Sequence, residues 1–239
     1  SALLEFREVI PRLISAVITP LLPLYIFGIF LKMGADGQVG SVLAHFLKVI
    51  AVIFVLHITL LLIQFGTAGA VSGKNPFRLL KNMLPAYMTA LGTQSSAATI
   101  PVTLAQTQRN GVNPGLAAFV VPLCATIHLA GSTLKIVACA VAVMWMADLP
   151  FTTGLFAGFI LMLGITMVAA PGVPGGAIMA ALGLLQSMLG FDEVLQGLMI
   201  ALYITMDSFG TACNVTGDGA IAVVVDKIHA RRHRGTVGS

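Results

Sequence analysis

Between Leu149 and Phe191 the chain carries no charged residue. The stretch is long and apolar enough for two passes through a bilayer, yet its centre reads AAPGVPGG. Pro171 and Pro174, set among Gly172, Gly175 and Gly176, cannot continue a helix. A backbone break at membrane depth cannot face lipid, because nothing there would satisfy its N–H and C=O groups. The tip must line a cavity or be packed in protein. The segment therefore predicts a re-entrant helical hairpin over about 151–190. A soluble alternative is excluded by composition. Hydrophobic residues make up 57% of the chain and charged residues 9%, where soluble domains carry about a quarter charged residues.

The same logic applies along the rest of the chain. Leu13 to Leu31 and Val49 to Gly73 are uncharged and long enough to span, joined by the polar turn GADGQVG. From Asn75 the arms shorten. NPFRLLKNMLPAYMTALG leads into the small, hydroxylated GTQSSAATIP and a second short arm to Asn110. This predicts a first re-entrant hairpin over about 75–110. Gly115 to Met146 is apolar but interrupted by IHLAGSTLK, which predicts a broken helix over about 114–147. Val194 to Val225 reads as one last long segment, broken by polar residues, with the basic tail HARRHRG after it. Two interrupted hairpins, each followed by a broken helix, form a repeat. Paired interruptions of this kind point to a transporter binding site near the bilayer midplane. The expected fold class is an all-α membrane protein of transmembrane helices, two oppositely oriented re-entrant hairpins and broken helices.

The formal net charge of +4 does not indicate a nucleic-acid partner, because the basic residues lie beside apolar runs. One set of segments holds Arg7, Arg12, Lys74, Arg78, Lys81, Arg109, Lys227, Arg231, Arg232 and Arg234. The opposite set holds Asp36, Asp148, Asp192 and Glu193, with Lys32 and Lys48 as exceptions. The positive-inside bias then predicts a multi-pass cell-membrane protein with a cytoplasmic C-terminus. Cys124, Cys139 and Cys213 lie in apolar stretches with no metal-ligand or disulfide spacing, and read as small buried hydrophobes. No nucleophile elbow, HExxH, phosphate loop or CxxC pair is present, so the expectation is not an enzyme and no cofactor.

Within MDSFGTACNVTGD, Asp207, Thr211, Asn214 and Asp218 recur at intervals of four, three and four, which places them on one helix face. Intramembrane carboxylates are costly and mark ion or substrate paths, although a polar stripe can also simply join helices. Lys135 follows His128 by seven residues. Lys135 is a candidate to pair with Asp218 or to snorkel to an interface, and His128 a candidate proton carrier. His45 and His57 read as packed or interfacial residues. Ser95 and Ser96 sit where a half-helix can begin, with backbone N–H groups and the helix dipole facing an anion.

These residues resemble one family. QSSAATIPVT at Gln94 to Thr103 and APGVPGGAIM at Ala170 to Met179 are similar to the two hairpin tips of the glutamate-transporter family, the dicarboxylate/amino acid:cation symporters. NVTGD at Asn214 to Asp218 resembles its last-helix motif, and ATIHLAGST at Ala125 to Thr133 stands at its broken seventh helix. The resemblance implies a homotrimer whose transport domain moves like an elevator against a fixed scaffold, and a chain that opens near the family's fifth helix. It implies a scaffold-type helix over 1–39, a transport domain over 40–228 with its last helix over about 193–228, and a basic cytoplasmic tail over 229–239. It also implies that Ser95, Ser96, Val173, Gly175, Asp207, Gly210, Thr211 and Asn214 line the substrate site, Asp207 holding an amino group. Thr126, His128, Lys135, Asn214 and Asp218 are the positions for cation coupling, with Asp218 and Asn214 as sodium ligands.

The departures refine that expectation. Gly210 stands where the family's acidic-substrate carriers have an arginine, which favours a neutral or polar amino acid over a dicarboxylate or acidic amino acid. Ala130 and His128 replace an acidic and an amide residue of the seventh-helix motif, so hard oxygen ligands are lost. Lys135 or a protonated His128 would then neutralise Asp218 and shift coupling from Na+ towards H+. A channel-like or non-transporting homologue is the remaining alternative.

Overall fold

The computed structural model describes residues 16–17, 19–35, 37 and 39–236. Every element among them is helical: α1 (Thr19–Ala35), α2 (Val39–Ser72), α3 (Pro76–Thr93), α4 (Ser96–Arg109), α5 (Pro114–Ile127), α6 (Ala130–Met146), α7 (Thr153–Met167), α8 (Gly176–Leu189), α9 (Glu193–Thr205) and α10 (Asp207–Thr236). Arg7, Arg12 and Asp36, part of the charge asymmetry, lie outside the described residues, as does the start of the first predicted span. Among the described residues, three stretches are long and apolar enough to cross a membrane: Val42–Ser72, Pro114–Met146 and Asp207–Arg232. By contrast α4 and α8 have 14 residues each, about 21 Å of helix against a hydrocarbon layer of about 30 Å. They are too short to span, which is the length expected of hairpin arms.

The last segment, read in the sequence as broken by polar residues, is two helices, interrupted at Met206, with Asp207 opening α10. No proline or glycine marks that break. Its cause is tertiary, and it emerges from the contacts of Tyr203 and Asp207 below. The tail predicted over 229–239 is helical as far as Thr236.

The chain divides into two compact units. One comprises Thr133–Asp207 and the described part of Ser1–Phe54. It holds the second hairpin, α7 packed on α8, with α9 lying against α8 and α1. Thr152 caps α7 by accepting from Leu155 N at 3.3 Å, and Asp192 caps α9 by accepting from Leu195 N at 2.9 Å. The hairpin tip occupies 168–175 and ends on Gly175 at φ 73°, a left-handed conformation that suits glycine. Phe159, Leu163, Leu185 and Phe191 are buried at its core.

The other unit comprises Val55–Ser132 and the described part of Ser208–Ser239. It holds the first hairpin, α3 on α4, with α4 on α5. Asn75 caps α3 by accepting from Phe77 N and Arg78 N at 2.9 and 3.1 Å, ahead of Pro76 in the first turn. Lys74 Nζ donates to Asn110 O at 2.6 Å and so holds the far end of α4 beside the start of α3. Gln94 turns the chain at φ 52°, and Ser95 caps α4. Thr93 and Thr99 hydroxyls meet at 2.8 Å across the tip. The core gathers Phe65, Leu79, Met83, Ala86, Ala90, Ala117, Val120, Cys124, Val215 and Val223. Large apolar side chains such as Leu47, Phe77, Trp145 and Leu161 are exposed, as expected where lipid replaces water outside.

Helix α10 approaches α3 at a glycine. A Cβ on Gly219 would lie 2.6 Å from Met83 Sδ, and Met83 is wholly buried. Gly219→Val is therefore expected to lower stability by about 1–3 kcal/mol through overpacking. Thermal unfolding in detergent checks this; adding Met83→Ala restores much of the loss, and an unchanged melt for the single variant contradicts the packing.

Candidate functional site

Among the described residues, two buried carboxylates paired with basic side chains mark two clusters, one in each unit. In the first, Asp207 is 4% exposed and Lys135 is fully buried. Lys135 Nζ donates to Asp207 Oδ1 at 3.1 Å and to Tyr203 O at 3.3 Å, and lies 3.3 Å from the centroid of the Tyr203 ring. The ammonium thus meets a carboxylate, a carbonyl and an aromatic face, which together replace its water shell. The other carboxylate oxygen, Oδ2, accepts from Gly175 N at 2.7 Å. Gly175 is the N-cap of α8, so Asp207 places its charge at a helix N-terminus, where a carboxylate is favoured. Here the break at Met206 finds its reason. Tyr203 O, near the end of α9, takes the lysine, and Asp207 at the start of α10 holds both the lysine and the hairpin tip.

The second cluster surrounds the break between α5 and α6. His128 ends α5 with extended backbone. Its Nδ1 lies 2.8 Å from Asp218 Oδ1, and its Nε2 lies 3.2 Å from Gln64 Nε2. The histidine thus links the Gln64 amide to the Asp218 carboxylate, the donor and acceptor roles of its two ring nitrogens depending on the tautomer. The carboxylate is 1% exposed and the imidazole 14%.

Close by, Asn214 Oδ1 accepts from Gly131 N at 2.7 Å and Ser132 N at 3.2 Å, and its Nδ2 donates to Ser132 Oγ at 2.9 Å. A side chain of α10 thereby caps α6. His57 Nε2 pairs with Gly131 O at 3.0 Å. Gly131 is required by close approach: a Cβ there would lie 2.9 Å from Gly210 O and 2.7 Å from Cys213 Cβ.

The residues singled out in the sequence distribute as follows. Lys135, Asp207 and Gly175 come together in one cluster, and His128, Asp218 and Gln64 in the other, while Asn214 binds α6. Lys135 is bonded to Asp207, and of the two cations considered for Asp218 it is His128 that lies on it. Ser95 Oγ accepts from Ala98 N at 3.3 Å, and Ser96 is buried. Thr126 donates to Leu123 O at 2.7 Å, Thr211 is buried, and Val173 O accepts from Gly176 N at 2.9 Å. Gly210 presents its carbonyl to Gly131. His57 is packed as expected, and His45 meets the Trp145 ring edge at 5.8 Å. The three cysteines are free and buried. Gln64 and Tyr203 escape sequence reasoning. Gln64 carries the signal of a lone amide in the apolar run LLIQFG; Tyr203 has none beyond being an aromatic four residues before an aspartate.

Short apolar hairpins, helices broken at membrane depth and buried charge pairs at the breaks define a membrane transport fold. The sequence matches the sodium:dicarboxylate symporter family over residues 1–228, and the chain belongs to that family. It is similar to excitatory amino acid transporter 1 of Rattus norvegicus, 31% identical over 243 residues that cover 97% of this chain and 43% of the rat protein. The Homo sapiens transporter of the same name is 30% identical over the same shares of each chain. Excitatory amino acid transporter 3 of Oryctolagus cuniculus is 32% identical over 156 residues, 65% of this chain and 30% of that protein. The chain spans less than half the length of these relatives.

Because Asn214 satisfies two backbone donors where no water competes, Asn214→Leu is expected to cost about 2 kcal/mol or more. Faster hydrogen–deuterium exchange at the Gly131 and Ser132 amides is the specific signature; unchanged exchange there contradicts the capping role.

Proposed function

We propose that this chain forms the substrate-handling part of a secondary symporter for a small carboxylate, a dicarboxylate or an acidic amino acid, driven by a cation gradient. The observation that carries the reading is that two buried carboxylates of apolar segments, Asp207 at the α9–α10 break and Asp218 within α10 against His128 of the α5–α6 break, each have a basic side chain within hydrogen-bonding distance. Charges at that depth belong to ion and substrate paths. A transporter accounts for them better than an enzyme, since neither cluster pairs a nucleophile with a base.

The Gly210 position argues for a neutral amino acid, because no arginine there can hold a second carboxylate. The family's description and the names of the relatives weigh the other way, and the carboxylate reading is the better supported. Sodium as the coupling ion has the same support. The contact of His128 with Asp218 favours a second reading, in which the pair exchanges a proton and H+ contributes to the drive. The homotrimer, the elevator movement and a cytoplasmic C-terminus follow from the resemblance and from Lys227, Arg231 and Arg232 at the end of α10, and remain part of the proposal.

Uptake by the native protein in proteoliposomes, with sodium and pH gradients imposed separately, tests this. Labelled succinate or aspartate is expected to accumulate under an inward sodium gradient. Accumulation under a pH gradient alone, abolished in His128→Gln, would identify the proton reading. Passive, gradient-independent flux would indicate a channel and contradict symport.

A further inference from the structure

We infer that a basic cavity at the base of the first hairpin binds the phosphate of an anionic phospholipid headgroup, held by Arg78 of α3 and Arg109 of α4.

The cavity measures about 360 Å³, and Lys74, Arg78, Asn82, Arg109 and Gly111 are among the residues lining it. Its size falls within the roughly 300–1,000 Å³ of small-ligand sites. Its lining belongs wholly to the unit that holds α3 and α4. Lys74 is already employed. Its Nζ donates to Asn110 O at 2.6 Å and to Gly111 O at 3.3 Å, which offsets the negative end of α4. Gly111 makes room for it: φ is 77° there, and a Cβ would lie 3.0 Å from Lys74 Nζ. The two arginines are not employed. Among the described residues, neither guanidinium meets a carboxylate or any other hydrogen-bond acceptor. The carbonyls that would oppose an anion are thus neutralised by Lys74, and two forked guanidinia, one on each arm, remain to take phosphate oxygens in pairs.

The position of the cavity decides which anion it takes. Between Lys81 and Arg109 neither arm of the hairpin carries a charge. The arms therefore enter the apolar layer just beyond Lys81 and leave it just before Arg109, which sets the cavity level with the lipid headgroups. Phe77, Leu84 and Met88 are exposed and, spaced by seven and four, share one face of α3 that can lie along acyl chains. A soluble anion would use the guanidinia and leave that face idle. Lys and Arg clustered at this level favour anionic lipid.

Thermal unfolding of the native protein in detergent, titrated with dioctanoyl phosphatidylglycerol, tests this. A saturable rise in Tm is expected. Dioctanoyl phosphatidylcholine, with the same tails and no net charge, should give none; an equal rise overturns the inference. Arg78→Gln combined with Arg109→Gln should weaken the response to phosphatidylglycerol roughly 30-fold. Lys227→Gln combined with Arg232→Gln removes as much charge at the same end of the unit, where Arg231 Nη2 donates to Val71 O at 3.4 Å, but outside the cavity. It should change the response by less than about 3-fold. Equal losses in the two variants would mean a diffuse basic surface and overturn the site. Inorganic phosphate or glycerol 3-phosphate matching phosphatidylglycerol would identify a soluble anion and overturn the lipid assignment. If the arginine variant does not fold, hydrogen–deuterium exchange of the native protein decides. Phosphatidylglycerol should slow exchange over 77–82 and 109–112, and unchanged exchange there overturns the inference.

Discussion

The bilayer core offers no water, and this one constraint explains the local features of both clusters. Each break in a helix exposes backbone groups that must find partners within the protein. At the α5–α6 break the partners are Asn214, which takes the Gly131 and Ser132 N–H groups, and His57, which takes the Gly131 carbonyl. At the α9–α10 break Lys135 takes the Tyr203 carbonyl. Charges obey the same requirement more strictly. Asp207 and Asp218 each have a basic side chain within hydrogen-bonding distance, and each stands on α10, whose residues from Thr211 to Ala220 are buried throughout.

Much of the architecture was legible in the sequence. Pro and Gly in AAPGVPGG, and the hydroxyl cluster of QSSAATIP, stop helices by their own chemistry, so both hairpin tips can be read locally. The broken helix is visible because His128 and Lys135 interrupt an apolar run. That the last segment is broken could be read from its polar residues, but the position of the break at Met206 could not, since it arises where Lys135 and the hairpin tip draw on groups that lie far away in sequence. Gln64 was hidden for a related reason. A single amide in LLIQFG means nothing until His128, 64 residues away, is seen to pair with it.

Pairing was the least legible property. A spacing of seven suggests that His128 and Lys135 act together, but the break between them puts the histidine at the end of one helix and the lysine inside the next. They serve different carboxylates. The departures from the family's motif therefore have a coherent physical meaning. Where a carboxylate and an amide are replaced by Ala130 and His128, a titratable base stands on Asp218; Asp207 is supplied with a cation by the chain itself.

The claim that these intramembrane charges are stabilised chiefly by one another is tested most directly by a double-mutant cycle on Lys135 and Asp207, followed by thermal unfolding in detergent. Lys135→Met alone leaves a buried carboxylate unpaired and should cost about 3–5 kcal/mol. Asp207→Asn alone should cost a comparable amount, and the double variant far less than the sum. Additive losses would mean that the two side chains are stabilised independently, and would contradict the account.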